Sequence, residues 1–116
     1  MFSQEILKGT IKPLIIKMIK EEGRMYGYQI TQKVKEMSLN KILITEGALY
    51  PALHKLLDEG FLITESERIG NRERKYYRLS ETGLEQAMSK LEEVRESILV
   101  LVHLFDLKPL LYETTK

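Results

Sequence analysis

Residues 45–62 have the pattern of a short helix that ends at a glycine and leads directly into a strand. Thr45 is suited to capping the start of this helix, and Gly60 is suited to ending it. The apolar residues of the helix recur at helical spacing and predict one buried face: Leu49, Ala52, Leu53 and Leu56. Almost no linker separates the helix from the apolar residues after Gly60. The pattern therefore predicts a helix that is followed directly by a strand.

A cationic hairpin is predicted next. Residues 61–67 and 75–80 have the composition of antiparallel strands, and Gly70-Asn71 suits the turn because both residue types tolerate positive φ. The stretch between residues 68 and 78 contains five cations and one acid: Arg68, Arg72, Arg74, Lys75, Arg78 and Glu73. A helix, a strand, a basic turn and a returning strand form the outline of a winged helix-turn-helix, which typically places one helix in the DNA major groove. The alternative is a solvated hairpin whose charges protect a sheet edge.

Two helices are predicted upstream. The first runs from about Thr10 to Glu21, with Thr10 as the N-cap, so that Pro13 falls in the first turn, where proline is tolerated. The second spans about Tyr26 to Met37, and its candidate core residues are Tyr28, Ile30, Val34 and Met37. Residues 39–44 turn the chain, and we also weigh a short strand there.

A long C-terminal helix is predicted from about Glu81 to Leu107, with Ser80 as its N-cap and Pro109 marking its end. Apolar residues alternate three and four positions apart along it, which is a heptad seam: Leu84, Ala87, Leu91, Val94, Ile98, Leu101 and Phe105. Residues 98–102 are apolar on every side, and a lone helix cannot expose such a surface to water. We therefore predict self-association through Leu91, Val94, Ile98, Leu101, Val102 and Phe105, although packing within one chain is the alternative.

The predicted fold is mainly α with a small β-wing (α+β). Residues 1–80 would form the winged helix-turn-helix, residues 81–108 a dimerisation helix, and residues 109–116 a flexible tail. Net charge is only +1 over 116 residues, but the position of the charge matters more than its sum for DNA binding. The first residues lack the basic segment of a secretory signal, and no apolar run approaches the ~18 residues of a membrane span, so we expect a cytoplasmic protein.

Catalysis and metal binding have no support in the sequence. There is no cysteine, and the two histidines, His54 and His103, lie on different predicted helices without carboxylates at metal-ligand spacing. No phosphate-binding loop or nucleophile motif is present. We therefore expect no enzyme activity, no metal and no cofactor.

The residues of the third helix that lie off its buried face are the candidates for DNA contact, together with the basic turn. Gly47 allows close approach of the backbone, and Tyr50 could donate to a phosphate, while His54 and Lys55 could reach bases or phosphates. Arg72, Arg74 and Lys75 would neutralise phosphates. The alternatives are that Tyr50 is a half-buried packing residue and that His54 is merely exposed.

Several motifs resemble the PadR family of bacterial transcription regulators. They are Lys8-Gly9-Thr10, Tyr26-Gly27-Tyr28-Gln29-Ile30, residues 46–53, residues 56–62, residues 74–80 and Gly83, and together they cover about residues 7–84. The resemblance implies a dimeric winged-helix repressor of the short subfamily. By match, its DNA contacts would come from Thr45, Gly47, Tyr50, His54, Arg74 and Lys75. Some short members bind flat aromatic ligands with a tryptophan, which this sequence lacks.

The resulting functional prediction is a homodimeric repressor that binds double-stranded DNA at a palindromic operator. A small hydrophobic effector, if one binds, would change the angle between the C-terminal helices and so the spacing of the two DNA-reading helices. Three alternatives remain open from the residues: a winged helix used only for protein contacts, a small-molecule carrier with vestigial DNA binding, and a MarR-type regulator.

Overall fold

The computed structural model describes residues 1–107. These residues form four helices and one small antiparallel sheet whose strand order is β1-β3-β2. The elements are α1 (Gln4–Glu22), β1 (Arg24–Met25), α2 (Gly27–Met37), α3 (Glu46–Asp58), β2 (Leu62–Ile69), β3 (Arg72–Leu79) and α4 (Glu81–Leu104). This is the predicted mainly α architecture with a β-wing. None of the helices in this part of the chain has both the length and the apolar character of a membrane span.

The first helix begins earlier than predicted. Its N-cap is Ser3, whose hydroxyl accepts the Ile6 N–H at 3.2 Å. Thr10 lies inside the helix, where its hydroxyl donates to the carbonyl of Ile6 at 2.8 Å. The prediction that Thr10 caps the helix was therefore wrong, and Pro13 lies in the helix interior. The apolar stripe continues upstream to Leu7, which is buried and extends the contact with the core.

Two predictions about the next segment were also wrong. Tyr28 and Met37 are 66% and 61% exposed, because α2 buries only a narrow stripe that includes Ile30 and Val34. Residues 39–44 contain no strand, since Leu39 and Asn40 both have positive φ, at 54° and 66°. The third strand of the sheet is instead β1, which pairs with the C-terminal end of β3.

The Gly70 turn and the start of α4 agree with the sequence patterns, but both strands extend further into the basic stretch than predicted, because β2 ends at Ile69 and β3 begins at Arg72. β2 and β3 pair in register from Leu62 opposite Leu79 to Ile69 opposite Arg72, and Gly70 has the positive φ that the tight turn requires. Ser80 caps α4 by accepting the Gly83 N–H at 2.9 Å. Its backbone N–H donates to the carbonyl of Phe61 at 2.9 Å, which fastens the start of α4 to the corner between α3 and β2. α4 ends at Leu104 rather than Leu107. The predicted stop at Pro109 and the predicted tail at residues 109–116 lie outside the described residues.

The core explains how α3 is presented. The largest fully buried side chains come from α1, α2 and α3: Ile15, Ile16, Ile19, Ile30, Leu49, Leu53 and Leu56. α3 packs its predicted apolar face into this core and leaves the opposite face at the surface. Along the heptad seam of α4, Ala87 is buried and Leu91 is partly buried against the core. Ile98 and Leu101 are each 50% exposed, so the second half of the seam lies outside the core of its own chain.

Candidate nucleic-acid interface

The exposed face of α3 carries the predicted contact residues of that helix. Thr45 caps the helix, as predicted, by accepting the Ala48 N–H at 3.2 Å. Thr45, Gly47, Tyr50, His54 and Lys55 are all exposed. The N-terminus of α3 lies at this surface, and the helix dipole there favours an anion such as a phosphate. The face is therefore chemically suited to approach a nucleic-acid backbone.

A cleft of about 550 Å³ separates this face from the hairpin, and we call it the wing cleft. It brings together five of the residues singled out in the sequence: Tyr50 and His54 of α3, and Arg72, Arg74 and Lys75 of the hairpin. Thr45, Gly47 and Lys55 do not line it, because they lie on the other flank of α3. The wing cleft thus places a histidine and a tyrosine beside three cations, a combination suited to phosphates and base edges.

Tyr50 both packs against the protein and faces solvent. Its side chain is 38% exposed, and its hydroxyl lies against Gly27 at the start of α2. A Cβ atom at Gly27 would stand only 2.6 Å from that hydroxyl. Tyr50 is therefore a partly buried packing residue, as in the alternative interpretation, and it is also accessible to a ligand. Gly27 was visible in the sequence only as the centre of the Tyr-Gly-Tyr motif, and its contact with Tyr50 could not be read from it.

An aromatic stack fixes Arg74 at the edge of the wing cleft. The Arg74 guanidinium lies 4.1 Å from the ring centre of Tyr26. Tyr26 meets Tyr76 edge to face at 5.5 Å, and Arg24 lies 3.8 Å above the ring of Tyr76. The neighbouring Tyr76 side chain is the main cause that raises the pKa of Arg74. These contacts restrict Arg74 to one region, so that it would lose less conformational entropy on binding an anion.

Ion pairs on one face of the wing were missed by the sequence analysis. Arg24 of β1 reaches Glu65 at 3.0 Å and Glu67 at 2.6 Å, and Arg78 reaches Glu65 at 2.7 Å. Hydrogen bonds from Arg24 and then Arg78 lower the pKa of Glu65. Because this pKa is depressed on folding, the pairs contribute above the ordinary carboxyl pKa and are lost as the pH falls through the lowered value. Arg78 is therefore neutralised within the wing.

The charge that remains at the tip of the wing comes from other side chains. Within residues 1–107, Arg68, Arg72, Arg74 and Lys75 have no carboxylate at ion-pair distance. Arg68, Arg72 and Lys75 are exposed, and Arg74 is half-exposed. An unpaired cation in water can exchange its counterions for phosphates, which drives association with DNA.

Comparison with known proteins agrees with this geometry. Residues 15–89 match the model of the transcriptional regulator PadR-like family. A transcriptional regulator from Mycobacterium tuberculosis is 31% identical over 81 residues, which cover 67% of this chain and 73% of that protein. The solved structure of a transcriptional regulator from Clostridium thermocellum is 25% identical, with a TM-score of 0.76, over 87% of this chain and 95% of that one.

Bacillus subtilis PadR has been solved in complex with operator DNA. It is 30% identical to this chain and superposes with a TM-score of 0.61 over 70% of this chain and 46% of that one. The family match decides against the MarR-type alternative. The chain belongs to the PadR-like family of transcriptional regulators, and it is a DNA-binding transcription regulator with a winged helix-turn-helix fold.

Proposed function

We propose that this protein is a repressor that binds a palindromic operator as a homodimer in the cytoplasm, without catalytic activity. The main support for the proposal is the wing cleft. Across it, the exposed face of α3 lies opposite hairpin cations that have no carboxylate partner within residues 1–107. In this proposal Gly47, Tyr50 and His54 enter the major groove with the first turns of α3. Thr45, Lys55, Arg72, Arg74 and Lys75 hold the flanking phosphates.

The proposed dimer uses the second half of the α4 seam. Ile98 and Leu101 are half exposed, Phe105 is 69% exposed, and Leu91, Val94 and Val102 are partly buried. Leu99, Val100 and Leu104 add further apolar surface at the same end of the helix. Burying such surface against a second copy is favourable by about 25 cal/mol per Å². We infer that the same helix end pairs with its symmetry mate, as expected for a two-fold interface.

Leu101→Glu is expected to convert the dimer into monomers, because the interface would then bury two uncompensated carboxylates. At roughly 1–3 kcal/mol for each unsatisfied buried group, the dissociation constant should rise by about a hundredfold or more. Sedimentation velocity over a concentration series measures this change. Met88→Glu is the matched control, since Met88 is an exposed apolar residue on the same helix outside the seam. Monomeric wild-type protein at high concentration would contradict the dimer.

Operator binding is tested by titrating the protein against DNA from upstream of its own gene at several salt concentrations. We expect the logarithm of the affinity to fall linearly with the logarithm of the salt concentration, because phosphate contacts release counterions. Footprinting should reveal two half-sites about 10 base pairs, or a multiple of that distance, apart. Affinity without salt dependence would favour the alternative in which the winged helix binds only protein. A reporter gene placed behind the bound site determines the sign of regulation.

A further inference from the structure

A second concave surface lies between the N-terminal half of α1 and α3, and we call it the α1–α3 groove. Its volume is about 730 Å³, within the range of roughly 300–1,000 Å³ found for small-molecule pockets. α3 contributes Gly47, Pro51 and Lys55 to this groove, whereas it contributes Tyr50 and His54 to the wing cleft. The two surfaces therefore lie on opposite flanks of the helix that we place in DNA.

The walls of the α1–α3 groove are largely apolar. They consist of aliphatic or proline side chains from both helices: Leu7, Ile11, Ala48, Pro51 and Ala52. Leu7, Ile11 and Ala52 are almost fully buried, so they form the bottom, while Pro51 is exposed and Ala48 is partly exposed. An alkyl chain laid along these walls would be removed from water, which is favourable by about 0.8 kcal/mol for each fully buried CH₂ group.

The rim of the groove carries an excess of positive charge. Its lining includes Lys8, Lys12 and Lys55 but only one acid, Glu5. Lys12 is paired with Glu59 at 2.9 Å, whereas the structure of residues 1–107 gives no ion pair for Lys8 or Lys55. The groove is thus lined by one cation of α1 and one of α3 that have no carboxylate partner within residues 1–107.

We propose that the α1–α3 groove binds a small amphipathic anion, a medium-chain monocarboxylate, with its alkyl chain on the apolar walls and its carboxylate between Lys8 and Lys55. The combination of apolar walls and a cationic rim selects this occupant. A DNA phosphodiester would meet the same lysines, but it has no group to place against Leu7, Ile11 and Pro51. A neutral hydrocarbon would leave the lysines without an anionic partner.

Occupancy of the groove is coupled to DNA binding, and this step rests on the proposed function. Thr45 and Lys55 belong both to the groove and to the proposed phosphate contacts. A bound carboxylate would engage Lys55 and place negative charge beside the α3 amides that face DNA. We expect saturating ligand to weaken operator binding by about fivefold or more, and DNA to weaken ligand binding by the same factor.

The probe is n-octanoate, titrated into the full-length ¹⁵N-labelled protein without DNA, and n-octanol is the neutral control of equal chain length. Amide shifts should change around residues 4–12 and 45–55, with a dissociation constant on the order of 1 mM. Lys8→Glu should weaken octanoate binding roughly fivefold. Lys20→Glu should leave it unchanged, because Lys20 is on the same helix but outside the groove.

Equal binding of octanol, an unaltered octanoate affinity in Lys8→Glu, or shifts confined to the exposed end of α4 would each overturn the proposal. It is also overturned if Lys8→Glu weakens DNA binding more than Lys20→Glu does in the absence of octanoate, because Lys8 would then be a DNA contact rather than a ligand contact. The titration uses no DNA, so it tests the groove independently. Failure of the wild-type protein to bind DNA would overturn the proposed function alone.

Discussion

Replacing Arg74 and Lys75 together by alanine is expected to weaken operator binding by at least about a hundredfold near 0.1 M salt. A dimer carries each residue twice, so the double substitution removes four cations from the two wings. Each lost phosphate contact should also reduce the slope of log affinity against log salt by about 0.9. We therefore expect the slope to become shallower by about two to four, measured by fluorescence anisotropy with labelled upstream DNA.

The matched control removes the same charge from another surface. Lys17 and Lys20 are exposed on the second half of α1 and line neither the wing cleft nor the α1–α3 groove. Changing both to alanine lowers the net charge equally, yet the affinity should stay within about threefold, since distant surface charges are largely screened at this ionic strength. Equal losses in the two double variants would mean that only net charge matters, and the wing would have no special role.

Arg74→Lys separates the charge of Arg74 from its position. The substitution retains the cation but loses the planar group that stacks on Tyr26 at 4.1 Å. If the stack pre-organises the wing, the affinity should fall several-fold while the salt slope stays unchanged. If Arg74 acts only as a point charge, the lysine variant should bind like the wild type. Far-UV circular dichroism of each variant verifies that the fold is retained.

The elements that the sequence predicted well are those whose signals are local. The buried face of α3, its Thr45 cap, the Ser80 cap and the Gly70 turn each depend on residues within a few positions of one another. The resemblance to the PadR family rested on motifs of this kind, and the family match confirmed it. The start of α1 was predicted less accurately, because Ser3 and Thr10 are both able to cap a helix. Which of the two residues caps the helix depends on whether Leu7 is buried in the core, and this requires contacts with residues that are distant in the sequence.

The features that the sequence did not reveal join distant parts of the chain. β1 has only two residues, and it is a strand solely because β3 lies beside it. The pair between Arg24 and Glu65 spans 41 positions, so no local pattern records it. The spacing of apolar residues correctly predicted an amphipathic α2. It did not show that Tyr28 and Met37 lie at the edges of the buried stripe of this helix. The contact of Tyr50 with Gly27 likewise required the packing of two helices.

Gly83→Ala is expected to destabilise the protein by about 3 kcal/mol, as severe overpacking does. A Cβ atom at Gly83 would stand 2.2 Å from the carbonyl oxygen of Phe61 and 3.1 Å from its carbonyl carbon. These are backbone atoms, which cannot move aside as a flexible side chain can. The same carbonyl accepts the Ser80 N–H at 2.9 Å, so a shift that relieves the clash also weakens the attachment of α4.

Gly9→Ala provides a control with the opposite sign. Gly9 lies inside α1, and a Cβ atom there would meet nothing within 4 Å. Alanine should therefore stabilise the helix by about 0.5–1 kcal/mol through its better helix propensity. Urea denaturation and thermal denaturation, both followed by circular dichroism, measure the free energy of unfolding and the melting temperature of both variants. For a chain of this size we expect the melting temperature to fall by roughly 10–20 °C in Gly83→Ala and to rise by a few degrees in Gly9→Ala.

Gly83 lies at the junction between α4 and the corner that connects α3 to β2. The contact with Phe61 joins α4 to the corner between α3 and β2, so it sets how the proposed dimerisation helix is oriented relative to the helix that we place in DNA. A looser junction should allow the two α3 helices of a dimer to vary in spacing, and the variant should lose operator affinity even below its melting temperature. A Gly83→Ala protein as stable as the wild type would show that α4 does not approach Phe61 this closely. A destabilised variant with unchanged operator affinity would show that the junction does not control the spacing.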